Sequence, residues 1–415
     1  MPPRRQERGI ALILVLIVLP LVAIIMVQLQ FETTIGQQLA ANVLANQQFK
    51  YAIDARVRQI RLRLARDLKN DNEGAQSQGA YDHASDDWGP DWEQGGTAVM
   101  VTKGDAEKGD DITLYTEVID EQSKFNINLL RHTDPRRRAR ATEMFRALLD
   151  LFRDARYGDF EDSEWDVRED EAQQIVEAVL KFLEGETRDE RVRGGEIPAP
   201  SNELRQNVYT VQDLLFSHEL FAEKRLLETF TDMETGQRMP SLGEYLTVYG
   251  SGQININTAP IAVLRSVFRS EEGRADVAKQ MFNGRGGFLD TDEDEENRQA
   301  LEEEREQLRQ DGDEDGLEET ISLYTSVNDL IQNVDGFRDQ GFIRREELDL
   351  ARDFTVRSNV FRVRVSARRQ NFVRQQVVVL ERHVNGTRTW ATEVRAITVA
   401  ELPQTQGEEA PTLDE

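Results

Sequence analysis

The chain has 415 residues, long enough to imply more than one packed unit. Its formal net charge of −26 argues against a nucleic-acid binder, because phosphate contact needs Lys and Arg to displace counterions. Hydrophobic residues make up 39%, enough for a real core, and the absence of cysteine excludes disulfides and thiolate metal sites.

Residues 1–9, MPPRRQERG, form a basic leader with Arg4, Arg5 and Arg8 set against Glu7. The 18 residues from Ile10 to Val27 then carry no charge and no strongly polar side chain. As a helix this run is about 27 Å long, close to the thickness of a bilayer core. It predicts a single transmembrane helix over 10–31, with the leader on the cytoplasmic side by the positive-inside rule. The run is longer than a secretory h-region and no A-x-A site follows it. Gly9 directly before Ile10 is what a processing site ahead of the run would look like.

The helix continues past the membrane. Ile35, Leu39, Val43, Phe49, Ile53, Val57, Ile60, Leu64 and Leu68 form one apolar stripe, with Arg56, Arg58, Arg61, Arg63 and Arg66 on the other faces. The helix should end before the polar stretch Asp71–Gly96. Strand patterns follow at Thr97–Thr102 and Ile112–Ile119, and residues 32–123 are read as one unit. From 124 to 350 the pattern is helical, with helices expected at Met144–Phe152, Ala172–Leu183, Val211–Phe230 and Ile261–Phe268. An acidic insertion at 290–319 interrupts it. Strands return over 351–400 at Val360–Val365, Phe372–Glu381 and Trp390–Ile397, with Asn385-Gly386 as a hairpin signal. An acidic tail fills 401–415. Strands on both sides of a helical block predict one sheet with a helical domain inserted into it.

A basic leader ending in Gly9, an apolar helix and an antiparallel sheet behind it resemble type IV pilin-like proteins. The resemblance implies peptidase cleavage after Gly9 and N-methylation of Ile10. The fifth mature residue is normally Glu in that superfamily. Here it is Leu14, a departure that itself marks the K-type minor pseudopilins of type II secretion systems. Two phrases resemble the same family: DEQSKFNINLL, Asp120–Leu130, and EYLTVYGSGQININTAPIAVL, Glu244–Leu264. The strand phrase SNVFRVRVSA, Ser358–Ala367, does so too. The implied fold is α+β: a pilin-like long helix on an antiparallel sheet with a large inserted α-helical domain. The implied work is assembly: capping the pseudopilus tip with I- and J-type minor pseudopilins, alongside other pseudopilins of the fibre. The implied location is the inner membrane, with a periplasmic globular part and a prepilin peptidase acting on the leader.

Φ-Asn-Φ-Asn occurs twice, giving Asn126 and Asn128, then Asn255 and Asn257 followed by Thr258. Such Asn side chains can bond nearby backbone and fix the start of a helix, with Thr258 as N-cap. The same phrase also opens helix-hairpin-helix DNA contacts, but no G-x-G hairpin follows it here. A membrane-anchored DNA receptor and a minor pilin of a type IV pilus remain the alternative readings; the assembly reading expects no nucleic acid. Asp311, Asp313 and Asp315, followed by Gly316, match the first half of a calcium loop. Ser322 stands where its bidentate acid belongs. The K family binds calcium in its helical domain, so calcium is the one cofactor the resemblance offers, against a solvated acidic insertion as the plain reading. Arg136, Arg137, Arg138 and Arg140 form a basic patch, read as a solvated helix face or a docking patch. Enzyme signatures fail: His218-Glu219 lacks the second His of H-E-x-x-H, and Asp110 and Asp111 replace the phosphate-binding pair after Gly104 and Gly109. No catalysis is expected.

Overall fold

The computed structural model describes residues 6–73, 82, 97–99, 112–157, 167–184, 208–231, 238–239, 241–285, 323–369, 372–383 and 386–396. Helix α1 spans Gln6–Glu73, 68 residues and about 100 Å, and carries Pro20 within it. Strands β1 (Thr97–Val99) and β2 (Ile112–Asp120) follow. The helical block opens with β3 (Phe125–Asn126), α2 (Pro135–Tyr157), α3 (Glu169–Leu183), α4 (Leu220–Glu223), β4 (Phe230–Thr231), β5 (Arg238–Met239) and β6 (Leu246–Thr247). It continues through β7 (Ile254–Asn255), α5 (Ile261–Ser266), α6 (Ala278–Asn283), α7 (Asp329–Asn333), α8 (Asp335–Arg338), α9 (Gln340–Arg345), α10 (Leu350–Asp353) and β8 (Phe354–Thr355). Strands β9 (Val360–Arg369), β10 (Phe372–His383) and β11 (Gly386–Ala396) complete it.

The sheet is antiparallel in the order β1-β2-β9-β10-β11, so two strands from before the helical block lie beside three from after it. Alternation explains its inner face. Phe361, Val363, Val365 and Ala367 on β9 join Ile112, Leu114 and Val118 on β2, and Val378 and Leu380 on β10. Against them lie Phe49, Ile53, Val57, Ile60 and Leu64 of α1, spaced by three or four residues as one helix face requires. Each such burial stabilises by about 1.5–3 kcal/mol, so this stripe fixes α1 to the sheet. The earlier part of the expected stripe behaves differently: Ile35, Leu39 and Val43 are exposed. Arg56 is also not on a solvent face. It is buried, and its Nε donates to Thr116 Oγ1 of β2 at 2.8 Å.

The helical block has its own core, centred on Phe145, Leu148, Phe152, Ile175, Val263, Phe268 and Phe337. Its two parts follow one plan. In each, a Φ-Asn strand pairs in parallel with a later Φ-Thr strand: β3 with β6, and β7 with β8. In each, the Thr hydroxyl accepts the amide two residues on, Tyr249 N to Thr247 and Arg357 N to Thr355. A Tyr-Thr phrase also recurs, with Asp213 accepting the amides of Tyr209 and Thr210, and Asp329 those of Thr325 and Ser326. Each part then has a left-handed residue closing a helix, Arg225 at φ 48° and Glu347 at φ 52°. There Leu226 N bonds Phe221 O and Leu348 N bonds Ile343 O.

That closure corrects the helix expected over Val211–Phe230. The segment is instead a 3-10 turn at Val211–Phe216, then α4, then β4 at Phe230. His218 Nδ1 accepts the amide of Leu220 and starts α4 afresh, and Arg225 ends it. The expected helix at Ile261–Phe268 is α5, but Thr258 is not its cap. Pro260 holds that position, while the Thr258 hydroxyl points to Asp120.

Candidate functional site

Two features of this architecture bear on function. The first is the free length of α1. From Leu16 to Leu44 its described apolar side chains, among them Leu19, Ile24, Met26, Val27, Leu29 and Phe31, are exposed. An 18-residue window here has mean hydropathy 1.7, and the helix is long and apolar enough to cross a membrane. Gly9, Ile10 and Leu14 lie in the backbone of this helix, which starts at Gln6. Their side chains fall outside the description.

The second is the junction where the chain leaves the sheet for the helical block. Residues 120–127 are all buried, although six of them are polar or charged: Asp120, Glu121, Gln122, Ser123, Lys124 and Asn126. Each of the first three bonds both the second Asn phrase or its approach and the returning strand. Asp120 Oδ2 accepts from Asn255 Nδ2 (3.1 Å), Thr258 Oγ1 (2.5 Å) and Ser358 Oγ (2.5 Å). Its Oδ1 takes the amide of Gln122 at 2.7 Å. Glu121 accepts from Thr247 Oγ1 and from Arg362, and pairs with Lys124 at 3.4 Å. Gln122 Oε1 accepts the amide of Asn359 at 2.6 Å, and its Nε2 reaches Ser251.

Electrostatics follow from this wiring. Burial pushes the Asp120 carboxyl above its usual range, against the hydrogen bonds it receives. Burial acts on Glu121 in the same sense, but Lys124 and Arg362 prevail and hold it below that range. Lys124 is itself lowered, chiefly by burial, with Glu121 opposing.

The Asn phrases supply the hinges of this junction. Asn126 Oδ1 accepts the amide of Asn128, and Asn255 Oδ1 that of Asn257, each at 3.0 Å. The remaining amide groups reach outward. Asn126 Nδ2 bonds Tyr249 O, and Asn128 Nδ2 bonds Val248 O, tying the first phrase to the approach of the second. Asn257 exchanges two bonds with the backbone of Tyr324. Arg285 bonds Ile256 O and Ala259 O, and burial lowers it to about 10, with Tyr324 opposing. The second phrase therefore holds both ends of the segment 286–322.

Three residues that sequence reasoning passed over complete the site: Asp82, Ser358 and Arg382. Asp82 takes the amide of Ser358 at 2.6 Å and both bonds from Arg382 Nη2, while Arg382 Nη1 reaches Asp67 of α1 at 2.6 Å. Nothing local marks Asp82. Arg382, two positions after apolar Leu380 and so on the same face of its strand, could have been flagged as a charge needing a partner.

Asp311, Asp313 and Asp315 lie outside the described residues. Among the described residues no group of three or more His, Asp or Glu is placed to hold a metal. The basic patch divides: Arg136, Arg137 and Arg138 are exposed, but Arg140 is buried, bonding Glu346 O and Val267 O near Asp353. The cations beside α5 are engaged by acids, Arg269 by Glu143 and Glu347 and Arg274 by Glu271.

A long N-terminal helix laid on an antiparallel sheet, with a helical block between the second and third strands in sheet order, is a pilin-like α+β fold. No protein-family model matches the chain, and no curated protein sequence does. Among solved structures, it is similar to a chain of the GspK-GspI-GspJ complex from the enterotoxigenic Escherichia coli type 2 secretion system. The identity is 14% and the TM-score 0.48, over 87% of this chain and 100% of that one.

Proposed function

We propose that this chain is a K-type minor pseudopilin, anchored in the inner membrane through residues 10–31, with its globular part in the periplasm. In this reading a prepilin peptidase cuts after Gly9, Ile10 is methylated, and the subunit caps the pseudopilus tip with I- and J-type partners and helps start the fibre. The observation that carries the reading is α1 itself: one helix whose described apolar side chains are bare from Leu16 to Leu44 and bound to the sheet from Phe49 to Leu64. A bare apolar helix needs lipid or other helices around it, which is what membrane storage followed by fibre packing provides. The phrases at 120–130 and 244–264 and Leu14 in place of Glu point to the K type among pilin-like chains. A subunit with nothing above it has no neighbouring amine to pair with a fifth-residue carboxylate, so an apolar residue there avoids a lone buried charge.

The test is purification of the native protein from membranes, with mass spectrometry of its N-terminus. Ile10 at the start, N-methylated, and I- and J-type pseudopilins in the eluate are the expected result. An intact Met1 terminus together with absent partners would refute the reading. Calcium belongs to the same proposal: it should raise the melting temperature, and Asp311, Asp313 and Asp315 changed together to Ala should remove the shift.

A further inference from the structure

Around Arg382 the charges do not balance. Its guanidinium is buried, lies 5.2 Å from the ring of Phe361, and donates Nε to Ser358 O. Asp67, 14% exposed, already neutralises it from the α1 side. Asp82 lies on its other edge with no exposure at all. Asp120, also buried, stands next to Asp82 and shares Ser358 with it: the amide of Ser358 goes to Asp82 and its hydroxyl to Asp120. Asn255 Nδ2 bridges the same two residues, bonding Asp82 O and Asp120 Oδ2. Arg382 thus pairs with two carboxyls, Asp67 and Asp82, and the buried carboxyl of Asp120 stands beside the second of them. Glu121 beside them is engaged by its own cations, Lys124 and Arg362.

We propose that the Asp82–Asp120 pair holds one proton and works as a proton-operated latch. With the proton in place, Asp82 is fastened to the approach of β9 and the end of β10. Once both carboxyls are ionised, their repulsion in a dry site loosens that hold. The backbone bond from Asp82 N to Val356 O and the amide bond from Ser358 are the contacts that release.

The charge count decides which side wins. A second carboxylate added to a guanidinium that already has one gains little attraction, while a nearly dry pocket penalises the extra charge heavily. In keeping with that, burial raises Asp82 from 3.8 to about 8, with Arg382 opposing and Asp120 and Asp67 adding to the rise. A group raised on folding stabilises fully below its unfolded value, and that contribution is lost as pH rises through the folded one. The latch is therefore firm under acidic and neutral conditions and slackens through about pH 8. This inference does not depend on the pseudopilin reading.

The test is infrared spectroscopy of the full chain in detergent micelles, with isotope-labelled aspartate, titrated from about pH 6.5 to about pH 9.5. The carbonyl stretch of a protonated Asp should be present at neutral pH and vanish with a midpoint near pH 8. Asp82→Asn, which keeps the shape without the titration, should lack the band. It should also abolish the loss of thermal stability expected of the unaltered chain as pH rises through about 8. Asp67→Asn, which frees Arg382 for Asp82, should move the midpoint to lower pH, so the proposal stays testable if Asp82→Asn misfolds. No band at neutral pH, or a band unmoved by both substitutions, overturns it.

Discussion

Arg382 Nη1 lies 2.6 Å from Asp67 Oδ2, so a side chain of the sheet's fourth strand grips the far end of α1, 315 residues earlier in the chain. Replacing Arg382 by Met should lower stability by about 3–5 kcal/mol, because Asp67 and the Asp82–Asp120 pair, which keeps one negative charge, would lose the cation that holds them. Arg382→Lys should recover only part of this. A lysine ammonium cannot span two carboxylates and the Ser358 carbonyl in one plane. Denaturant titration of the full chain in micelles measures both, and a Met variant within about 1 kcal/mol of the parent would contradict the assignment.

Asn255 is the most connected of the motif residues, with its Nδ2 shared among Asp82 O, Asp120 Oδ2 and Ser358 Oγ. Asn128 is less buried and its amide group makes one outward bond, to Val248 O. Asn255→Leu should therefore cost about 2–4 kcal/mol by leaving buried acceptors unmade, and Asn128→Ala about 1 kcal/mol. Equal costs from the same titration would count against the junction as drawn.

Glu121 sets an acid limit. Its carboxyl is held below 4.5 in the folded chain, by Lys124 and Arg362 against burial. A group depressed on folding contributes stability above its unfolded value and loses it as pH falls through the folded one. Measured from about pH 6 down to about pH 3, Glu121→Gln should start less stable than the parent, and the gap should narrow as the parent protonates. A gap constant with pH would show that Glu121 does not titrate as the pair demands.

Gly252 has φ +85°, and a Cβ there would sit 2.7 Å from Leu129 Cδ2. Gly252→Ala should destabilise by about 1–3 kcal/mol through left-handed strain and the push on Leu129. Gly36, in the bare part of α1, has nothing within 4 Å. Gly36→Ala should leave the melting temperature of the isolated subunit unchanged or slightly raised. Thermal melts of the two variants side by side check the contrast.

Much of the fold was legible because single-face burial writes itself into spacing. Val363 and Val365 alternating with Arg362 and Arg364 announce a half-buried strand, and Phe49 to Leu64 announce the helix face that meets it. What spacing cannot reveal is the fate of an individual charge. Arg56 and Arg140 read as solvated but are buried, because Thr116 and the carbonyls of Glu346 and Val267 happen to receive them. Asp82 sits in a polar, Gly-rich stretch, and its role depends on partners about 300 positions away. One signal was available and unused: Tyr209-Thr210-Val211-Gln212-Asp213-Leu214 echoes Tyr324-Thr325-Ser326-Val327-Asn328-Asp329-Leu330. Comparing them would have exposed the two-part plan of the helical block and the break inside residues 211–230.

The continuity of α1 has a mechanical consequence. The same rod that carries the bare apolar residues also carries Phe49 to Leu64, with no loop between them. A helix extends by about 1.5 Å per residue and has little slack, unlike a flexible linker of equal length. Axial load on the hydrophobic end is therefore delivered as shear along the helix–sheet contact. There the side chains interlock, and Arg382 clamps the last turns through Asp67. A pull or push at one end becomes displacement of the whole globular mass at the other, with little lost on the way.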